Sequence, residues 1–60
     1  MTIHDLKKML SFEVNLYRPE NPLTYVYQRL NREKVSNPLT GFQESLLSRW
    51  IFKTYGEPTN

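Results

Sequence analysis

Side chains that could take part in covalent chemistry are few and scattered in this chain of 60 residues. The single histidine, His4, is followed by Asp5, but adjacent residues on a helix point about 100° apart, so the two do not form a base with its orienting carboxylate. The serines have no second histidine that could activate them. We therefore expect that the chain has no catalytic residues and is not an enzyme.

Metal and cofactor sites are not indicated by the residue pattern either. The chain has no cysteine, which excludes thiolate ligands and disulfide bonds. One histidine with dispersed carboxylates does not give the clustered ligands that a metal ion needs. Gly41 and Gly56 are isolated, so no glycine-rich loop is available for phosphate groups. We predict no metal, no cofactor and no small-molecule substrate.

Residue types that suit binding occur on a predicted helix. Tyr25, Arg29 and Arg32 are spaced i, i+4, i+7 and share the face opposite the apolar side of that helix. One aromatic ring with two guanidinium groups is suited to carboxylates, phosphates or stacked bases. The simpler interpretation is a solvated face on which Tyr25 covers the aliphatic stems of the arginines.

A second group of aromatic residues lies near the end of the predicted third helix. Phe52 and Tyr55 fall outside the apolar stripe that contains Trp50, and large aromatics away from a core often mark a partner surface. The alternative is that the first helix or a second subunit covers Phe52. The predicted partner-binding set is therefore Tyr25, Arg29, Arg32, Trp50, Phe52 and Tyr55.

The third helix is the most strongly patterned element, and we predict it over residues 38–55. Its apolar stripe contains Leu39, Phe42, Leu46, Leu47 and Trp50, with Ile51 at the margin. Two starts are open: Asn37 as cap with Pro38 in the first turn, or Thr40 as cap with Gln43 reaching back. Gly56 marks the end.

Two shorter helices precede it. A capping box formed by Thr2 and Asp5 predicts a helix over residues 2–10, and Pro22 predicts the start of a second helix over residues 22–34. The sequence Asn-Pro-Leu-Thr occurs at 21–24 and again at 37–40, which we interpret as two similar helix starts. Residues 57–60 are predicted to be a polar tail.

Residues 11–17 are predicted to be a strand, because Phe12, Val14 and Leu16 alternate with polar residues. A helix that continues to Tyr17 is the alternative. A single strand in so short a chain would pair with its copy in a second subunit, which predicts a homodimer. The fold class is therefore mainly α: one small three-helix domain over residues 1–60, with one short strand at 11–17 that pairs across a dimer.

The predicted order of elements from Phe12 to Tyr55 resembles that of the ribbon-helix-helix DNA-binding proteins. This order is a strand, a helix, a turn at Val35-Ser36-Asn37 and a longer helix. In those dimers a two-stranded ribbon enters the major groove. The resemblance implies that Glu13, Asn15 and Tyr17 face DNA and that the backbone at Asn37 holds a phosphate on the third helix. The DNA-binding set that it implies is Asn15, Tyr17, Arg18 and Asn37.

The charge balance limits the choice of partner. Eight Lys or Arg against six Asp or Glu give a net charge of +2, which permits nucleic acid without requiring it. No apolar run approaches the roughly 20 residues that span a bilayer, so we expect no membrane partner. We predict a cytoplasmic regulatory or inhibitory protein that binds a larger protein. A dimeric DNA-binding regulator is the alternative, and a structural subunit of an assembly is the third hypothesis.

Overall fold

The computed structural model describes residues 2–56, which form a bundle of three helices. Each helix contacts the other two, and the Cα atoms have a radius of gyration of 11.2 Å. None of the described helices has the length and apolar character needed to cross a membrane. The elements are α1 (Ile3–Tyr17), α2 (Pro22–Ser36), α3 (Gly41–Ile51) and a π-helical turn (Phe52–Gly56).

The first helix continues through the segment predicted as a strand. Its start is the predicted capping box, with the Asp5 N–H donating to Thr2 Oγ1 at 3.2 Å. It then runs to Tyr17, so the strand at 11–17 is wrong, and residues 2–56 contain no strand. The physical reason is that Leu6, Leu10 and Val14 form a helical stripe that packs on the core, whereas Phe12 and Leu16 are exposed.

Loss of the strand removes the proposed pairing across a dimer, because residues 11–17 now satisfy their backbone groups within α1. Arg18 ends the helix in the left-handed region with φ 47°, and its N–H donates to the Val14 carbonyl at 2.9 Å. Pro19 follows and disfavours a right-handed helical conformation at Arg18. The helix therefore ends where the sequence shows a break, about two turns later than predicted.

The second helix begins as the sequence predicts. The Asn21 side chain accepts a hydrogen bond from the Thr24 N–H at 3.2 Å, and Pro22 occupies the first helical position. The helix extends to Ser36, slightly beyond the predicted end at 34, and Asn37 is its C-terminal cap. The Asn37 N–H donates to the Glu33 carbonyl at 2.9 Å.

The third helix starts at Gly41, so the predicted start at 38 is wrong and the alternative start at Thr40 is correct. Thr40 Oγ1 accepts from the Gln43 N–H, and the Gln43 side chain accepts from the Thr40 N–H, both at 3.1 Å. The α-helix ends at Ile51 and continues as the π-helical turn, which replaces the predicted helix to 55. The predicted polar tail, 57–60, lies outside the described residues.

The core consists of six buried aliphatic side chains, two from each helix at i, i+4 spacing: Leu6 and Leu10, Val26 and Leu30, Leu47 and Ile51. The predicted stripe of α3 is therefore rotated. Phe42 and Leu46 are 74% and 40% exposed, whereas Ile51, predicted at the margin, is fully buried. Because the core face of α3 contains Leu47 and Ile51, Phe42 and Leu46 remain at the surface and Trp50 is only partly buried.

The cap of α1 predicts a measurable shift in a carboxyl pKa. Hydrogen bonds from the backbone and side chain of Thr2 lower the pKa of Asp5 below its ordinary value. This contribution to folding is present above the unfolded pKa of about 3.9 and is lost as pH falls through the lower folded pKa. We expect Thr2→Ala to raise the pKa of Asp5, and NMR titration of the carboxyl carbon measures it. Thr2→Ser is the control that keeps the cap, and an unchanged pKa in Thr2→Ala would contradict the assignment.

Candidate partner-binding site

An open cleft of about 620 Å³ lies between α1 and α2. Its lining residues are Glu13, Tyr17, Tyr25, Arg29 and Arg32. A smaller hollow of about 390 Å³ adjoins it along α2, lined in addition by Gln28 and Asn31. The cleft therefore brings together half of the predicted partner-binding set, and it adds Glu13 and Tyr17 from the α1 segment that was predicted as a strand.

A hydrogen-bonded network fixes the floor of this cleft. The Glu13 carboxylate accepts from the Tyr25 hydroxyl at 2.8 Å and from Arg29 Nε at 3.1 Å. Arg29 Nη1 donates to Glu33 at 2.9 Å, and Arg29 Nη2 lies 3.5 Å from the sulfur of Met9. The guanidinium group is therefore held by both helices, and Tyr25 packs towards α1 instead of lying on an open face.

The network also shifts the pKa values of Arg29 and Tyr25. The hydrogen bond that Arg29 donates to Glu33 and the charge of Glu13 raise the pKa of Arg29, while partial burial opposes them. The pKa of Tyr25 is raised, first by its hydrogen bond to Glu13 and then by desolvation. The contribution of Tyr25 to folding is thus fully present below the unfolded pKa of about 10 and is lost as pH rises through the higher folded pKa.

We expect Glu13→Gln to lower the free energy of unfolding by about 1 to 2 kcal/mol. The side chains of Glu13 and Arg29 are 17% and 22% exposed, so their pair lies between the weak exposed pairs and the strong buried pairs. Urea denaturation of both variants measures the loss, with Glu20→Gln as the control because Glu20 is exposed. Equal stabilities of Glu13→Gln and Glu20→Gln would contradict the role of the network.

The mouth of the cleft carries an arginine that is not part of this network. Arg32 is exposed and forms no ion pair with any residue in the range 2–56. Beside it, the rings of Tyr17 and Tyr25 are 6.3 Å apart at an interplanar angle of 52°. Tyr17 is 62% exposed, so the mouth presents an aromatic surface and a cation to solvent.

Two exposed apolar residues extend this surface along α1. Phe12 and Leu16 are 64% and 58% exposed. They lie three and seven residues after Met9, which contacts Arg29, so they are on the α2 side of α1. The sequence prediction missed both as surface residues, because the strand interpretation placed them on the apolar face of a half-buried strand. The spacing of Met9, Phe12, Glu13 and Leu16 as i, i+3, i+4, i+7 was the signal that could have found them.

The other predicted partner-binding residues lie elsewhere. Trp50 and Tyr55 pack edge-to-face at 5.7 Å, beside α1, where the Tyr55 hydroxyl donates to Ser11 Oγ at 3.4 Å. Phe52 is 54% exposed and lies against Gly56, where an added Cβ would be 2.9 Å from the Phe52 ring. The six predicted residues therefore do not form one continuous surface.

The residues implied by the ribbon-helix-helix resemblance are placed as follows. Asn15 is exposed on α1, Tyr17 lines the cleft and Arg18 is the exposed cap of α1. Asn37 is the C-terminal cap of α2 and donates its side-chain amide to Glu33 at 2.8 Å, whereas Thr40 is the N-terminal cap of α3. Because α1 replaces the ribbon, the structure does not have the strand on which the resemblance depends.

Comparisons with known proteins add no identification. No protein-family model, no curated protein and no solved structure matches the chain. Within residues 2–56, no group of three or more histidine or carboxylate side chains is arranged to hold a metal ion. The site is therefore interpreted from its own geometry.

Proposed function

We propose that this chain is a non-enzymatic regulatory or inhibitory protein that binds a larger protein through the α1/α2 face. This face consists of Phe12, Leu16 and Tyr17 on α1, together with Tyr25, Arg29 and Arg32 on α2. The observation that carries the proposal is the exposure of three large apolar or aromatic side chains beside a cleft with a fixed and an unpaired arginine. Such an arrangement combines anchors with a polar rim.

The residue types of the face favour a protein as partner. Tyrosine and arginine are enriched among the residues that dominate protein interfaces, and apolar anchors supply desolvation energy. The charges at the cleft sum to zero, since the two cations Arg29 and Arg32 stand against the two carboxylates Glu13 and Glu33, both of which pair with Arg29. A balanced charge gives little attraction for a polyanion, because nucleic-acid binding draws most of its affinity from phosphate contacts.

The network in the cleft also supports binding. The guanidinium group of Arg29 is positioned before any partner arrives, so less side-chain entropy is lost on association. Phe12 and Leu16, by contrast, gain burial only in a complex. We therefore propose that the binding free energy comes from apolar contacts of α1 and from oriented polar contacts of α2.

Site-specific photo-crosslinking tests this proposal. A photoreactive amino acid replaces Leu16 in one variant and Ser45 in the control, which is exposed on α3. We expect position 16 to capture one defined larger protein in the cells that express the chain, with competition by the unlabelled chain and no effect of nuclease. Position 45 should not capture it.

Three results would contradict the proposal. Capture that depends on nucleic acid would favour a DNA-binding function. A product of twice the 7.2 kDa chain mass and nothing larger would show a homodimer on this face. Equal capture from positions 16 and 45 would show that the α1/α2 face is not the binding surface.

A further inference from the structure

A second exposed apolar surface follows α3. Phe42, Leu46 and Trp50 are spaced i, i+4, i+8 and form one ridge, of which Phe42 is 74% exposed and Leu46 40%, while Trp50 is half-buried and packs partly against the core. Lys7 Nζ lies 5.7 Å from the centroid of the Trp50 ring, so the ridge is on the α1 side of α3. We call these three residues the α3 ridge.

The α3 ridge is distinct from the α1/α2 face, because different sides of α1 border the two surfaces. Lys7 of α1 contacts Trp50 of α3, and Ser11 of α1 contacts Tyr55 in the turn that follows α3. Met9 and Glu13 contact α2 instead. A partner on one surface therefore leaves the other accessible.

Cations flank the α3 ridge. Lys7 borders it on α1, and Arg49 and Lys53 follow Leu46 and Trp50 by three residues each. None of these three cations forms an ion pair with any residue in the described part of the chain. Within residues 2–56, the surface is therefore an apolar stripe with cations at its borders that form no ion pair.

Three carboxylates form ion pairs away from the α3 ridge. Glu44, the acidic residue of α3, forms an ion pair with Lys34 of α2, on the opposite side of α3. Glu13 and Glu33 are engaged by Arg29 in the cleft. The charge character of the two surfaces thus differs: the cleft is balanced, whereas the α3 ridge is positive.

We infer that the α3 ridge is a second docking surface and that its occupant is an acidic amphipathic helix of a protein. Successive ridge residues are about 6 Å apart along the helix axis, which matches the i, i+3, i+4, i+7 spacing of apolar residues on a facing helix. Glutamates at the borders of that apolar stripe would meet Lys7, Arg49 and Lys53. With the α1/α2 face, the chain then bridges two protein segments.

Fluorescence of Trp50 tests this inference, because Trp50 is the single tryptophan of the chain and belongs to the ridge. The probe is a designed helical peptide of about 18 residues without tryptophan, with leucines at i, i+3, i+4, i+7 and glutamates beside them. A second peptide has lysines in place of the glutamates. We expect a saturable change in emission with the acidic peptide and about tenfold weaker binding or none with the basic one.

Matched phenylalanine variants locate the binding. We expect Phe42→Ala to weaken the acidic peptide about tenfold and Phe12→Ala, on the other face, to leave its affinity unchanged. Arg49→Glu should weaken the acidic peptide while circular dichroism remains helical. Equal loss in Phe42→Ala and Phe12→Ala, equal affinity for both peptides, or no saturable change would overturn the inference.

A titration with lipid vesicles distinguishes binding of an acidic helix from binding of a membrane surface. Vesicles that contain phosphatidylserine are titrated into the same chain, and we expect a smaller change in Trp50 emission than with the acidic peptide. A change with vesicles but not with the peptide would overturn the inference in favour of a lipid surface. Neither result depends on the capture of a partner at position 16, so the two proposals fail independently.

Discussion

Leu10→Ala is expected to lower the free energy of unfolding by about 2 to 5 kcal/mol. Leu10 is completely buried in the middle of α1 and belongs to the six-residue core. Truncation removes its apolar contacts and leaves a cavity that three short helices cannot close fully. A domain of 60 residues has a total stability of only about 3 to 9 kcal/mol, so much of the protein would be unfolded.

Leu16→Ala is the matched control for this substitution. It makes the same chemical change on the same helix, but Leu16 is 58% exposed, so we expect a loss below about 1 kcal/mol. Urea denaturation followed by far-UV circular dichroism measures both variants. Equal losses at the two positions would show that the core is not formed by the α1 face that contains Leu10.

Asn15→Pro has the second large expected effect, about 3 kcal/mol or more. Proline at this position removes the N–H that donates to the Ser11 carbonyl in the helix, and its ring collides with that carbonyl. Because the Asn15 side chain is exposed, its own loss contributes little. The same denaturation experiment should show reduced stability and reduced helical signal.

Asn15→Ala separates this backbone effect from any effect of the side chain. Alanine has a higher helix propensity than asparagine, so we expect unchanged or slightly higher stability. If residue 15 lay in an exposed edge strand, Asn15→Pro would not be much less stable than Asn15→Ala, since proline is tolerated there and alanine is unfavourable. Tolerance of Asn15→Pro would therefore contradict the continuous α1 helix.

The two Asn-Pro-Leu-Thr segments show how far helix starts can be predicted. Asn21 caps α2, as the pattern predicts, but Asn37 ends α2 and Thr40 caps α3. The difference lies in the following residues: Gln43 stands three residues after Thr40 and completes a capping box, whereas Tyr27 stands three residues after Thr24. The sequence allowed α3 to start with either Asn37 or Thr40 as its cap, and the Asn-Pro-Leu-Thr segment alone did not decide between these two starts.

The phase of the apolar residues was harder to predict than the presence of helices. Phe12 and Leu16 on α1, like Phe42 and Leu46 on α3, are large and apolar yet exposed. On α3, Phe42 and Leu46 made the predicted apolar stripe too wide. On α1, the alternation of Phe12 and Leu16 with polar residues matched the pattern of a strand. Sequence periodicity assumes that apolar residues are buried, so exposed apolar residues produce errors of this kind.

Only part of the candidate site could be predicted from the sequence, because one wall depends on local spacing and the other on a contact between two helices. The spacing of Tyr25, Arg29 and Arg32 identified one wall of the cleft from local information. The other wall depends on Glu13, which is 16 residues before Arg29 and reaches it only because residues 11–17 are helical. Contacts between helices require the correct phase of both helices, which a single sequence did not supply.

The most direct test of the proposed function is the affinity of the α1/α2 face for the protein captured from position 16. Leu16→Ala and Leu46→Ala make the same change on two different surfaces, at residues that are 58% and 40% exposed. Isothermal titration calorimetry of the purified complex should show that Leu16→Ala weakens binding at least about tenfold, or roughly 1.4 kcal/mol, while Leu46→Ala leaves it unchanged. Unchanged affinity in Leu16→Ala, or equal losses in both variants, would contradict binding through the α1/α2 face.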